Sequence, residues 1–183
     1  MLTLGRLSIG RMEDNKAQTR QVFEELNWTQ FRQNRPIARP GALPLNPMLT
    51  PLHWNTLRAL MNRIIPPDDF PDAWEAGVGD YLARQFELDL RPQLEIHRLG
   101  LEALEAEAQA SAGTGFAGLD ASAQDAILGR IETGQVMLSW PVDPARFFRA
   151  VTEHVMEGYY SDPGNSGNRD SMAWRMIGFE TRE

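Results

Sequence analysis

A capping residue followed by proline heads two apolar-periodic stretches of this chain, and that pairing constrains the fold more than any other feature. Thr50–Pro51 precedes "LHWNTLRALMNRII", in which Leu57, Leu60, Met61, Ile64 and Ile65 recur at helical steps. Asp143–Pro144 precedes "ARFFRAVTEHVMEG", where Phe147, Phe148, Val151 and Val155 form a stripe. Proline at the first helical position gives up no hydrogen bond, and the Thr or Asp oxygen accepts from an amide the helix cannot satisfy. Pro66 and Pro67 end the first helix, and Pro71–Asp72 predicts a second start, carrying Trp74, Val78, Tyr81, Leu82 and Phe86. Pro92 marks a kink or a boundary, and beyond it Leu94, His97, Leu101 and Leu104 line one side of a strong helix. Asp120 or Ser122 caps "ASAQDAILGRIETG", with Gly134 as its stop, and Gly158 is the expected stop of the helix from Pro144. No run alternates at period two. The expectation is an all-α protein, an irregular helical bundle.

Ahead of this lies a different composition. Val22, Phe23, Leu26 and Phe31 predict a short amphipathic helix within residues 13–33, followed by an arm containing Pro36, Pro40, Pro44 and Pro47. The arm also holds Ile37, Leu43, Leu45 and Met48, more apolar side chains than a solvated spacer needs. The division expected is an N-terminal helix and Pro-rich arm over 1–48 and a helical domain over 49–183.

The 25 acidic residues outnumber 18 Lys and Arg, a net charge of −7 that opposes attraction to nucleic acid or anionic membranes. There is no cysteine, which excludes disulfides, thiolate metal sites and thiol catalysis. No segment approaches the roughly 20 apolar residues of a membrane span, so direct membrane insertion is not expected. The N-terminus offers neither an unbroken apolar leader core nor paired arginines, because Gly5, Arg6, Gly10 and Arg11 interrupt it. The default compartment is the cytoplasm.

Catalytic equipment is sparse. His53, His97 and His154 are the three histidines, and none pairs with another at a three- or four-residue spacing. The best local metal-ligand set is His154 with Glu153 and Glu157; the plainer alternative is a solvated helix end, with these groups facing water or pairing with Arg149. "GNSGN" at 164–168 lacks the incoming strand of a nucleophile elbow, and "GTGFAG" at 113–118 lacks both the strand and the spacing of a dinucleotide fingerprint. No residue is assigned a catalytic role.

The C-terminal third is richer. Trp140, Phe147, Phe148, Tyr159, Tyr160, Trp174 and Phe179 are seven of the sixteen aromatic residues. Tyr159, Tyr160 and Trp174 flank a loop in which Asp162–Pro163 starts a turn, Gly164 and Gly167 permit positive φ, Asn165 and Asn168 can bond local backbone, and Arg169 with Asp170 can lock the whole. So determined a loop either seals its own domain or fits another surface.

"FFRAVTEHVMEGYYSDPGNSGNRDSMAWRMIGF" resembles the C-terminal signature of the gluconate 2-dehydrogenase subunit 3 family, and "LTPLHWNTLRALMNRIIPPDDFPDAWEAGVGDYLARQF" is similar to that family's opening helices. Ser166 stands where the family often has a second glycine. The resemblance implies a non-catalytic accessory chain, without a cofactor of its own, that binds and helps mature an FAD-containing catalytic subunit of the glucose–methanol–choline type in a sugar or polyol dehydrogenase. A cytochrome c or another electron acceptor is a further partner it allows. Tyr159, Tyr160, Asp162, Asn168, Arg169, Asp170 and Trp174 carry the motif and are, with Leu43, Leu45 and Met48 of the arm, the expected partner-binding residues. Many relatives carry a twin-arginine leader that this N-terminus lacks; the compartment becomes periplasmic if the partner carries the export signal. Two other readings stand beside this one: a free-standing metal-dependent enzyme built on His154, Glu153 and Glu157, and a helical adaptor for an unrelated partner.

Overall fold

The computed structural model describes residues 48–179. The predicted N-terminal helix, most of the Pro-rich arm and the expected anchors Leu43 and Leu45 lie outside them. The described chain is all-α, with six helices and no strand among the described residues. These are α1 (Pro51–Ile64), α2 (Val78–Gln85), α3 (Leu94–Ala112), α4 (Ala121–Glu132), α5 (Pro144–Tyr160) and α6 (Met172–Met176).

Both cap-and-proline starts are where the sequence puts them. Thr50 Oγ accepts from the His53 amide at 3.2 Å, and His53 Nδ1 accepts in return from the Thr50 amide at 3.2 Å, a reciprocal capping box with a histidine in the usual Glu position. Asp143 accepts from the Arg146 amide at 2.6 Å, and Asp120 from the Ala123 amide at 2.8 Å. Helix α4 closes through Gly134 at φ +70°, with Gly134 N–H bonded to Ile131 and Gln135 N–H to Arg130, the paired bonds of a Schellman stop.

Two boundaries differ from the expectation. Residues 73–77 are turns, so α2 begins at Val78 rather than near Pro71. Asp72 is used otherwise: its carboxylate accepts from the Glu75 amide at 2.8 Å and from the Asn62 side chain at 2.7 Å, tying this turn to α1. Trp74 consequently lies off any helix, with the Arg58 guanidinium 5.1 Å above its ring. Nor does Gly158 end α5, which runs on to Tyr160. A Cβ at Gly158 would stand 2.7 Å from the Tyr81 ring and 3.1 Å from Val78, so this glycine lets α2 approach α5.

Helix α5 packs against α1, α2, α3, α4 and α6 and is the common neighbour of the domain. The core around it is built from Trp54, Leu57, Leu60 and Met61 of α1, Leu82 and Phe86 at α2, Leu101 and Leu104 of α3, Ile131 of α4, and Phe147, Val151 and Val155 of α5, all buried. Burial of such side chains contributes about 1.5–3 kcal/mol each before the entropic cost of ordering them. Both ends of this central helix run directly into loops.

Candidate functional site

The loop after α5 solves a hydrogen-bonding problem. The last carbonyls of a helix have no partner inside it. Here Ser161 Oγ donates to Gly158 O at 3.1 Å, the Trp174 indole donates to Tyr160 O at 3.0 Å, and Asn168 Nδ2 donates to Ser161 O at 2.9 Å. Asn168 Oδ1 accepts from the Ala173 amide at 2.8 Å, so one buried amide side chain joins the end of α5 to α6. Asp162 accepts from the Gly164 amide at 2.8 Å and shapes the turn. Arg169 turns away from Asp170: it donates to Glu75 O at 2.8 Å and to Asp80 at 3.0 Å, while its amide donates to Ala76 O at 3.0 Å. The lock therefore joins the loop to α2 and the turn before it, rather than closing within the loop. Burial raises the Asp80 carboxyl above its ordinary range, against the pull of Arg169.

Positive φ falls on Ser166 (79°), Asn168 (45°), Asp170 (56°) and Ser171 (54°), and not on Gly164 or Gly167 as expected. Gly167 answers a different need, since a Cβ there would lie 2.1 Å from Gly158 O. Four non-glycine residues in left-handed backbone within six positions store strain that the surrounding bonds must hold.

The expected aromatic anchors are inside the domain. Tyr159, Tyr160 and Trp174 are 1%, 3% and 9% exposed. Tyr159 donates to Pro71 O at 2.9 Å and meets the Tyr160 ring edge-on at 5.2 Å; burial raises both phenols. Asn168 is fully buried, Arg169, Asp162 and Met48 are half-buried, and Asp170 is exposed. The signature thus seals its own domain, because its rings and amide are already engaged by the helix that precedes them.

The metal-ligand set does not assemble. His154 is buried and turned toward α3, its Nδ1 3.2 Å from His97 Nε2 with the rings stacked at 5.0 Å, while Glu153 faces solvent. His97 Nδ1 donates to Gln93 O at 2.9 Å, which leaves His97 Nε2 to accept from His154 Nδ1–H. Burial lowers both imidazoles, His97 to about 4, so the pair is neutral near neutrality. Among the described residues no three His, Asp or Glu side chains converge to hold a metal ion.

The loop before α5 is the arrangement that sequence reasoning missed. Glu107 of α3 is fully buried, and its carboxylate accepts from the amides of Met137 at 2.6 Å and Leu138 at 3.2 Å, with the Trp140 indole at 3.5 Å. The signal was a carboxylate continuing the stripe of Leu101 and Leu104 three residues on. Trp140 rests 5.9 Å from the Phe147 ring. Outside this scaffold stand Met137 and Leu138, 59% and 41% exposed.

These features define a class: a helical domain whose polar side chains fix loops at both ends of a central helix. The family is more specific. The sequence model of the family described as gluconate 2-dehydrogenase subunit 3 matches residues 51–180, and the chain belongs to that family. Its name makes the chain a subunit of an oxidoreductase complex with a catalytic partner. No curated protein and no solved structure matches it.

Proposed function

We propose that this chain is the non-catalytic small subunit that binds, stabilises and helps mature the FAD-containing, glucose–methanol–choline-type catalytic subunit of a sugar or polyol dehydrogenase. The observation that carries this reading is the family match across residues 51–180. The side chains of the C-terminal signature support it, because those with the chemistry to act on a substrate are engaged in holding the end of α5 and the turn before α2. A domain already rigid when it meets its partner loses little conformational freedom on binding, which favours a lasting complex. Such an obligate interface buries about 2,000 Å² or more. FAD resides in the catalytic subunit, electrons leave it for a cytochrome c or another acceptor, and the compartment of the complex follows that subunit's export signal.

Expressing the catalytic subunit with and without this chain tests the reading. Higher soluble yield and flavin content in the presence of the chain, with co-elution on gel filtration, is the expected result. Equal flavin-loaded yield in both preparations and no co-elution would reject it.

A further inference from the structure

Among the described residues five large apolar side chains are substantially exposed, and two of them, Met137 and Leu138, are adjacent in one loop. From Thr133 to Val142 that loop carries no charged residue, in a chain of which 23% is charged. Val136, Trp140 and Val142 are half-buried and Pro141 is exposed, so the apolar surface continues on either side of the pair. The loop is also held at three points. The Schellman stop of α4 fixes its entrance, the Asp143 cap of α5 fixes its exit, and the buried Glu107 carboxylate holds its middle by two amides and an indole.

Burying a carboxylate is costly and needs several donors to offset it. The donors here come from the loop itself, so α3 uses a buried carboxylate to fix a backbone that leaves Met137 and Leu138 substantially exposed. Ordering a loop to display Met and Leu to water gains nothing for the fold: exposed apolar area costs, and so does the order. Rigid presentation of an apolar pair does serve association, where side chains already ordered lose less on burial.

We propose that Val136–Val142 is the face by which this chain docks on the flavin-containing catalytic subunit, with Met137 and Leu138 entering an apolar depression of that protein. This rests on the accessory-subunit reading, and the family match supplies the occupant: a subunit of an oxidoreductase complex has a catalytic partner. An anionic lipid surface is opposed by the chain's net charge of −7.

The test uses full-length chain, wild type or Met137→Asp/Leu138→Asp, co-expressed with the FAD-containing, glucose–methanol–choline-type catalytic subunit, and Met137→Leu/Leu138→Met as a shape-preserving control. Wild type and control should co-elute with the flavoprotein, while the Asp variant loses at least tenfold in affinity and keeps the wild-type thermal midpoint. An Asp variant that binds as tightly as wild type overturns the docking face and leaves the accessory reading intact. Wild type that fails to bind overturns both. Binding to phosphatidylserine vesicles, or a concentration-dependent dimer, that the Asp variant abolishes while flavoprotein binding persists assigns the face to another occupant and overturns the proposal.

Discussion

The loops at the two ends of α5 treat their side chains in opposite ways. After the helix, the loop 161–171 turns Asn168 inward; with Trp174 of α6 it closes the end of α5, while Tyr159 and Tyr160 of the motif are buried within α5 itself. Before it, residues 133–143 are pinned from beneath by Glu107 and leave Met137 and Leu138 in water. A residue-rich signature therefore marks an internal clasp, and a plain apolar run marks the surface. What separates the two is where the carbonyls and amides find partners.

Gly167→Ala probes the clasp most severely. Its Cβ would lie 2.1 Å from Gly158 O, so backbone must move; a loss of about 3 kcal/mol in chemical denaturation is expected. A loss under about 1 kcal/mol would mean that the clasp is slack.

Acid acts on the two helices that carry the loops together. His97 is lowered by burial, and also by the neighbouring His154, from 6.5 to about 4 in the fold. Between those values the unfolded chain binds more protons than the native one, so stability falls as pH drops from about 6.5 to about 4 and the slope flattens below. For His97 alone the loss is about 3 kcal/mol. Urea unfolding at a series of pH values checks this, and His97→Phe should flatten the slope. If both loops lose amide protection at the same pH, α3 and α5 couple them; separate losses would make them independent.

Glu107→Ala leaves Met137 N–H, Leu138 N–H and the Trp140 indole without their acceptor, at about 1–3 kcal/mol. Amide exchange should accelerate at Met137 and Leu138 and not at Asn168. Acceleration at both loops would erase the distinction between them.

Ser166→Gly is the smallest change and has the opposite sign. Ser166 sits at φ +79°, where an L side chain is strained, and glycine should stabilise by about 0.5–1 kcal/mol, read as a higher thermal midpoint.

Much of the fold was legible because capping is local. Thr50–Pro51, Asp120, Asp143–Pro144 and Gly134 act within four residues of themselves, and the period of Leu57, Leu60 and Met61 states which face is buried. What the sequence misplaced depends on contacts across the chain. Gly158 reads as a stop, yet it is needed for Tyr81, 77 residues earlier. Gly164 and Gly167 read as the left-handed positions, but Ser166, Asn168, Asp170 and Ser171 take them because Arg169 and Asn168 tether the loop elsewhere. The inward side of His154 follows from His97 on another helix, and the role of Glu107 follows from amides 30 residues away. Leu43 and Leu45, expected anchors of the arm, fall outside the described residues.

Hydrogen exchange of this chain, free and bound to the catalytic subunit, compares the two loops in one experiment. Protection gained across 136–142, with 161–171 unchanged from its already protected state, is the predicted outcome. Protection gained at 161–171 alone, with 136–142 still exchanging as in the free chain, would contradict it.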